Sequence, residues 1–364
     1  MMKRLWSSVP ALAVTFLLLM TMQCSSGQPE QNGKPAAAAD AGTGSPADHL
    51  PPYIRLMTYF GERADWSRDG KKILFLEKTF GEAFTVDVDT KIIHPVTLNY
   101  FNAGYTRALY LSNGDILLSG ARKFDPQNPW PSRTQNAELW VLNKDLKGPP
   151  VALGTKCVEG PAVSRKNLKI AWTLNHETNP QDLPDGVSQI WMANIHYDNG
   201  VPALVNRKLV LDSRKLGFKA ELESQNFRPP DEKELTFSAY GYQGTEVMGI
   251  NLETGKITNY SKSPTYEEPE GIFPDGKYTC VESNRHVGKG GSQNIDIYKL
   301  RLDGSAHFER LTYFNDHPGY KASNPVVSDD GRFMAFQMAK VGDPAGVGRG
   351  IFVYDLSKAP ASGH

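Results

Sequence analysis

The most regular feature of the chain is a short pattern of apolar and polar positions that recurs six times. Each copy has an apolar residue, a polar turn with Gly or Asn, and a second apolar run. The copies are DWSRDGKKILF (65–75), LYLSNGDILL (109–118), AVSRKNLKIAW (162–172), NFRPPDEKELTF (226–237), GIFPDGKYTCV (271–281) and VVSDDGRFMAF (326–336). Because Asp-Gly and Asn-Gly supply the positive φ of a tight turn, each copy predicts a β-hairpin, with Asn167 replacing glycine in the third. The fourth copy departs from the pattern through Glu232 and one extra residue.

A third strand, rich in aromatic and β-branched residues, follows each hairpin. These strands read FTVDV (84–88), ELWVL (138–142), QIWMANI (189–195), EVMGINL (246–252), DIYKLRL (296–302) and IFVYDL (351–356). A fourth short strand follows in five copies, for instance RKLVL (207–211) and ERLT (309–312). Four strands per repeating unit are typical of the blades of a β-propeller.

The sixth copy ends after its third strand, at Leu356, and the missing strand is found near the other end of the chain. RLMTYF (55–60) repeats the RLTYF (310–314) that ends the fifth copy. We therefore expect residues 54–58 to complete the sixth blade, which removes the exposed sheet edges. The predicted fold is all-β: a six-bladed β-propeller of four-stranded antiparallel blades over residues 51–364.

The repeat also resembles a known family. WSRDGKKILF, VSDDGRFMAF and FPDGKYTCV are similar to the WSPDGK-type repeat of TolB-like (WD40-like repeat) β-propellers. The resemblance implies the same six-bladed fold for essentially everything after residue 50. It does not imply a function, because propellers host binding, scaffolding and catalysis alike. TolB has a separate domain before its propeller, whereas we expect only a linker here.

The N-terminal segment reads as an export signal. Lys3 and Arg4 precede an apolar run over residues 9–22, which is shorter than the roughly 20 residues of a membrane-spanning helix. The run ends at Cys24, and this arrangement resembles the lipobox of bacterial lipoproteins, in which the cysteine is acylated. Ordinary cleavage after Gly27 is the alternative.

The composition of residues 25–50 predicts a flexible linker, because the segment is poor in aromatic and β-branched residues. We accordingly expect an exported protein, located in the periplasm or at the cell surface. The signal and lipidation at Cys24 would occupy residues 1–24, and the lipid would be the chain's contact with the outer membrane.

Charge and cysteine content narrow the function classes. Lys plus Arg number 40, as do Asp plus Glu, so the chain lacks the basic excess of a nucleic-acid-binding protein. Hydrophobic residues make up 40% of the chain, which excludes disorder throughout. Export would permit a disulfide, but Cys157 and Cys280 lie in different predicted blades, so we expect two separate buried thiols. We also expect a monomer.

Carboxylates recur where the innermost strand of each blade begins. The residues four before the aligned apolar positions are Glu62, Thr106, Glu159, Glu223, Glu268 and Ser323, and Glu270 follows two residues later in the fifth blade. We expect these residues to ring one mouth of the central channel and to bind ligand. Like charges so close together raise one another's pKa or recruit a cation, and oxygen ligands would suit Ca²⁺ or Mg²⁺. The alternative is that they are ordinary solvated residues at strand ends.

Several long loops between second and third strands are predicted to open on the same face. They span residues 121–137, 175–188, 284–292 and 341–349, and they contain Arg122, Lys123, Trp130, His176, Arg285, His286, Lys289 and Arg349. Loops clustered at one end of a rigid scaffold are where binding usually resides. We take His176, Arg285 and His286 as candidate rim residues; metal binding by the two histidines is the less favoured interpretation.

Two functions from different classes follow. The sequence contains no G-x-S-x-G nucleophile motif. The first hypothesis is therefore a binding module for a protein or glycan of the cell envelope. The second is a carbohydrate-active enzyme, a lyase or hydrolase that uses the carboxylates of the channel mouth.

Overall fold

The computed structural model describes residues 44–344 and 346–358, and there the chain forms six sheets of four strands each. Every paired neighbour is antiparallel, as in β2 to β3 and β23 to β24, so the predicted six-bladed β-propeller is confirmed. Within these residues no helix is both long enough and apolar enough to cross a membrane. The predicted signal, Cys24 and residues 25–43 of the linker lie outside the described residues.

The first half of the chain supplies the strand that closes the propeller and the first three blades. The closing strand is β1 (Ile54–Leu56). Blade 1 comprises β2 (Glu62–Trp66), β3 (Lys72–Leu76), β4 (Ala83–Asp87) and β5 (Ile93–Pro95). Blade 2 comprises β6 (Arg107–Tyr110), β7 (Ile116–Ala121), β8 (Ala137–Leu142) and β9 (Val151–Lys156), with α1 (Pro131–Thr134) between β7 and β8. Blade 3 comprises β10 (Val158–Val163), β11 (Lys169–Asn175), β12 (Ser188–Asp198) and β13 (Val201–Asp212).

The second half of the chain supplies the remaining three blades. Blade 4 comprises β14 (Glu221–Phe227), β15 (Glu234–Tyr240), β16 (Thr245–Asn251) and β17 (Ile257–Asn259). Blade 5 comprises β18 (Glu267–Ile272), β19 (Tyr278–Ser283), β20 (Asp296–Arg301) and β21 (Phe308–Arg310). Blade 6 comprises β22 (Tyr320–Val327), β23 (Phe333–Lys340), β24 (Ile351–Asp355) and β1. Short 3₁₀ turns lie at Pro46–His49, Ser213–Lys215, Gly291–Gln293 and Phe314–Asp316.

The propeller closes as the sequence predicted. In β1, Arg55 pairs with Val353 of β24, and the backbone N–H of Met57 donates to the carbonyl of Ile351 at 2.8 Å. Ile54 and Met57 are buried, 7% and 5% exposed, so apolar packing accompanies the strand pairing. The first and last parts of the propeller are thereby held in one sheet.

Part of the segment that the sequence assigned to the linker, residues 45–50, packs on the propeller. Ser45 caps the 3₁₀ turn Pro46–His49, with its hydroxyl accepting from the N–H of Ala47 at 3.3 Å. Ala47 and Leu50 pack against the apolar core of blade 6. Residues 45–50 therefore belong to the folded unit, because three apolar side chains, Pro46 included, find a surface to cover.

The hairpin turns follow the predicted chemistry in four blades and depart from it in two. Glycines in the left-handed region occupy the turn in those four blades: Gly70, Gly114, Gly276 and Gly331. In blade 4 Glu232 takes this conformation, with φ 53°. The prediction for Asn167 was wrong, since its φ is not positive: the Ser164 hydroxyl closes that turn by accepting from the N–H groups of Lys166 and Asn167, both at 3.1 Å.

Both cysteines of the propeller are free and buried, which confirms two separate thiols. Cys157 packs in the core of blades 2 and 3, and Cys280 lies against Met334 in the core of blades 5 and 6. Burial raises the pKa of the Cys280 thiol to about 12, so this thiol stays protonated at physiological pH.

Candidate functional site

A cavity of about 580 Å³ occupies one end of the central channel. Its wall is built where the first strands begin, and all four long loops predicted for this face contribute residues to it. Arg133, Glu177, Ser292 and Asp343 are one example from each loop. The innermost strands and these loops therefore share one face, as the sequence predicted.

The structure brings the predicted carboxylates together. The cavity is lined by Glu62, Glu159, Glu223, Glu268 and Glu270, and by Ser323. Thr106 is not part of the wall, because its hydroxyl donates to the carbonyl of Ser119 at 3.2 Å. That these carboxylates bind ligand remains a prediction.

Bulges in the innermost strands decide which side chains face the cavity. The register of the first strand shifts in blades 1, 3, 4, 5 and 6. In three of these blades a non-glycine residue lies in the left-handed region: Arg63 (φ 55°), Glu159 (φ 57°) and Asn324 (φ 48°). In a regular strand Glu62 and Arg63 would point to opposite faces, whereas the bulge lets both line the cavity.

Sequence reasoning missed the cations and phenols of this wall. The cavity is also lined by Arg63, Arg107, Arg133, Tyr240, Tyr266, Glu282 and Lys321. Arg63 and Arg107 occupy the position after Glu62 and Thr106, so an alternating strand register would have turned them away. Glu282 lies on the second strand of blade 5, directly across from Glu268. The one sequence signal for these cations was that an arginine directly follows the aligned position in both blade 1 and blade 2, at Arg63 and Arg107.

Glu159 is the carboxylate with the strongest cationic partner. The Arg133 Nε donates to Glu159 Oε2 at 3.0 Å, and the Arg133 guanidinium makes a second contact with the same oxygen. Although burial acts in the opposite direction, Arg133 and Arg63 hold the pKa of Glu159 below its ordinary value. Glu159 is therefore ionised at neutral pH.

Glu223 is in the opposite state. The Tyr240 hydroxyl lies 2.5 Å from Glu223 Oε2 and also contacts Glu268, which in turn contacts the Tyr266 hydroxyl. Two phenols supply two hydrogens for these three contacts, so one carboxyl must carry a proton. Burial and the charges of Glu268 and Glu159 raise the pKa of Glu223 well above its ordinary value, so Glu223 is the carboxyl that favours the proton.

Glu270 and Glu282 share this environment. Burial raises the pKa of Glu270 to about 8, against the opposing influence of Arg107. Burial and the charge of Glu268 raise the pKa of Glu282 to about 8 as well. Asn324 fixes both groups: its side-chain amide donates to Glu270 Oε1 at 3.0 Å and its backbone N–H to Glu282 Oε1 at 2.6 Å. Both carboxyls are largely neutral at pH 7.

The predicted Ca²⁺ or Mg²⁺ site would lie among these carboxyls. Within the described residues, no group of three or more His, Cys, Asp or Glu side chains is arranged to hold a metal ion. Arg63 and Arg107 lie among the carboxyls, so guanidinium groups compensate the negative charge that was expected to recruit Ca²⁺ or Mg²⁺.

The predicted rim residues lie away from the cavity wall and have local partners. Arg285 pairs with buried Glu267 at 3.0 Å. His286 Nε2 lies 2.9 Å from Asn315 Oδ1, and His176 Nδ1 lies 2.7 Å from the carbonyl oxygen of Leu183. These contacts give all three side chains a structural role in shaping loops, and their part in binding ligand remains a prediction.

Comparison with known proteins finds solved structures that are similar to this chain, but no similar sequence. The sequence matches no protein-family profile and no curated protein. Similar solved structures include TolB from Acinetobacter baumannii, with 18% identity and a TM-score of 0.47, covering 82% of this chain and 66% of that one. A putative TolB from Agrobacterium tumefaciens has 15% identity and a TM-score of 0.36, covering 80% and 88%. An oligogalacturonate lyase in complex with manganese has 15% identity and a TM-score of 0.48, covering 82% and 78%.

Sequence identities this low support a similarity of fold and nothing further. Two of these structures are TolB proteins, the family that the WSRDGKKILF-type repeats resemble. The chain spans 66% of the length of the Acinetobacter protein, just under two thirds. The function must therefore be argued from the cavity itself.

Proposed function

We propose that this chain is an exported, lipid-tethered binding module whose cavity face receives a protein segment or a glycan of the cell envelope. The cavity is the observation that carries this proposal. It opens on the face where the long loops gather, and a rigid ring of six sheets supports its wall. The basic and apolar start of the sequence and Cys24 support export and tethering.

The charges of the cavity favour a binding role over a purely structural one. Glu62, Glu223 and Glu282 are at most 5% exposed, and burying ionisable groups costs stability unless partners fully satisfy them. Such costs are typical of functional sites, where perturbed pKa values collect. A partner with hydroxyl, amide or charged groups would complete the hydrogen bonding of this wall.

The double variant Glu159→Gln with Glu268→Gln tests the proposal. It removes the ionised and the bridging carboxyl while keeping their shape, so binding of an envelope protein or of ligands on a glycan array should fall at least about tenfold. The matched control is Glu138→Gln, which changes a carboxylate paired with exposed Arg122 outside the cavity. Equal binding by wild type, control and double variant, all with unchanged melting temperatures, would show that the carboxylates are structural.

A carbohydrate-active enzyme is the second candidate, and one observation favours it. Glu159 and Glu223 line the same cavity with pKa values displaced in opposite directions, as an acid and a base require. The test is turnover on a polysaccharide panel, with metal content measured on the same preparation. Chain cleavage that is lost in Glu223→Gln would establish the enzyme; inactivity alongside a bound envelope partner would leave the binding module.

A further inference from the structure

Two arginines in the cavity wall have donors without partners. Arg63 is only 9% exposed in its side chain, its Nε makes no hydrogen bond within the described residues, and its nearest carboxylate oxygen, on Glu62, lies 3.6 Å away. Arg107 is 11% exposed, and it approaches Glu223 and Glu270 at 3.9 and 4.0 Å. These distances are too long for hydrogen bonds.

Two other partly buried arginines, Arg133 and Arg228, are better satisfied. Arg133 donates to Glu159 at 3.0 Å, and Arg228 donates to the carbonyl oxygens of Gly276 and Leu302 at 2.7 and 2.8 Å. A guanidinium has five donors, and burying them unpaired costs free energy. Arg63 and Arg107 therefore retain donors that face a cavity large enough for a ligand group.

The charge balance of the wall indicates which ligand group fits. Around Arg63 and Arg107 the wall carries Arg133, Lys321 and the carboxyls of Glu62, Glu159, Glu223, Glu268, Glu270 and Glu282. Its other charged residues are Glu177 and Glu221, which are exposed, Lys340, and Asp343, which pairs with Arg349 at 2.6 Å. Burial raises the pKa of Glu270 and of Glu282 to about 8 and raises that of Glu223 well above its ordinary value. Neutral carboxyls therefore leave the charge of Arg63 and Arg107 incompletely compensated, which favours an anionic ligand group.

The fold also makes room for one of these arginines. A Cβ atom at residue 160 would lie 2.5 Å from Arg107 Nε, so glycine at this position of blade 3 lets the Arg107 side chain pass. Both Arg107 and Arg63 lie close enough to Glu270 to influence its pKa. The two guanidiniums therefore act on one region of the cavity.

We propose that Arg63 and Arg107 bind a carboxylate group of the ligand. This inference rests on the proposed binding function and specifies the ligand's chemistry: a monoanion with two oxygens in one plane, which matches the guanidinium fork. A phosphate dianion suits the site less, because its second charge would face Glu62, Glu159 and Glu268. The carboxylate can belong to a sugar acid or to the C-terminus of a peptide.

Isothermal titration calorimetry with four small probes tests the chemistry and its source. Glucuronate is paired with glucose, and N-acetylglycylglycine with its C-terminal amide. The carboxylate of at least one pair should bind while its neutral counterpart does not, and the responding pair identifies the source. Inorganic phosphate should bind at least about tenfold more weakly than that carboxylate, since one further negative charge is repelled.

Five variants and one control locate the binding. Arg63→Gln and Arg107→Gln should each weaken the carboxylate at least about tenfold, and the corresponding Lys variants should recover part of the loss, because they restore charge without the fork. Gly160→Ala should weaken it by displacing Arg107 without removing any charge. Arg122→Gln is the matched control, since Arg122 is 57% exposed and lies outside the cavity wall. Circular dichroism and melting temperatures establish that each variant is folded.

The outcomes separate this inference from the proposed function. Carboxylate binding that all the arginine variants leave unchanged would overturn the inference. So would an envelope partner that binds wild-type protein while no carboxylate probe does, and there the proposed function would stand. Carboxylate binding lost in the arginine variants supports the inference even if no macromolecular partner is found, in which case the proposed function fails.

Discussion

The two ends of the central channel use the same residue types in different ways. At the open end, Arg63 and Arg107 have donors without hydrogen-bond partners. At the opposite end, Arg165 of blade 3 pairs with Asp65 of blade 1 at 3.2 Å and with Asp329 of blade 6 at 3.4 Å. Arg68 reaches the same Asp329 at 3.3 Å, so ion pairs join three blades across the channel.

A layer of side chains separates the two ends. Arg107, Glu223, Glu270 and Asn324 line both the large cavity and a second cavity of about 50 Å³ on the far side. The small cavity has room for little more than water, and Asp65 and Arg165 are part of its wall. A ligand therefore enters from the loop face.

Backbone conformation differs between the ends as well. The open end carries its left-handed backbone on Arg63, Glu159 and Asn324, where each costs free energy. The turns of the far end mostly use glycine, and Gly276 shows why: a Cβ there would lie 1.8 Å from the carbonyl oxygen of Pro229. The comparison teaches that strained backbone collects at the open end, where Arg63 and Arg107 lie 3.6 to 4.0 Å from their nearest carboxylate oxygens. At the far end ion pairs of 3.2 to 3.4 Å link the blades, although Arg68 Nε and Arg165 Nη1 make no hydrogen bond within the described residues.

Removing the closing strand should have the largest effect, because it disrupts both ends together. Deletion of residues 53–60 exposes buried Ile54 and Met57 and leaves β24 as an unpaired edge. We expect a loss of about 5 kcal/mol or more in the free energy of unfolding, which is comparable to the total stability of many domains. Loss of cooperative thermal unfolding by circular dichroism checks this. Tyr59→Ser is the control within the segment, since Tyr59 is 88% exposed.

Arg165→Met should affect the far end alone. The variant leaves Asp65, which is 1% exposed, with one hydrogen bond from the Tyr110 N–H at 2.7 Å and without its cation. Because Arg165 is itself 23% exposed, we expect a moderate cost of about 2 kcal/mol in urea unfolding. Binding at the open end should stay unchanged.

The control for this prediction is Arg332→Met, whose guanidinium is 54% exposed and lies 3.7 Å from Asp355. It should cost less than about 0.5 kcal/mol. If Arg165→Met weakened ligand binding as much as Arg107→Gln does, the two ends would be coupled and the comparison would fail.

The fold could be predicted almost completely from the sequence, for a physical reason. Each blade repeats the same alternation of apolar strand and polar turn, so the six imperfect copies all predict the same four-stranded unit. The turn at Asn167 could not be predicted, because a serine hydroxyl three residues earlier replaces the left-handed residue. Nor could the packing of Ala47 and Leu50, which depends on a surface that exists only after folding.

The site could be predicted in part. Recurrence at one alignment position was enough to find Glu62, Glu159, Glu223 and Glu268. Arg63 was missed because a register shift changes the face to which a strand residue points, and single-sequence patterns do not mark bulges. Arg63 and Arg107, which lie among the carboxyls, therefore come from the innermost strands and not from the loops in which the sequence placed the candidate basic residues.

The open end should also make stability depend on pH. The groups that act on Glu282 are the charges of Glu268, Lys321 and Arg63 and the backbone N–H of Asn324, and burial raises its pKa to about 8. An unfolded Glu loses its proton near pH 4.5, whereas folded Glu282 keeps it until about pH 8. Between these values the folded state holds the additional proton, so this group makes stability fall as pH rises.

Glu282→Gln should remove that contribution, because the amide oxygen can still accept from the Asn324 N–H and no ionisation remains. We expect the variant to gain about 1.4 kcal/mol over wild type for each pH unit between about pH 5 and pH 8, with little difference near pH 4.5. Thermal melts from pH 5 to pH 9 measure the slope, and Glu253→Gln, which changes a carboxylate 61% exposed, should leave it unchanged. A parallel shift of wild type and Glu282→Gln at every pH would mean that Glu282 is already ionised. The guanidiniums of the open end would then face one more carboxylate charge, and the contrast with the ion pairs of the far end would weaken.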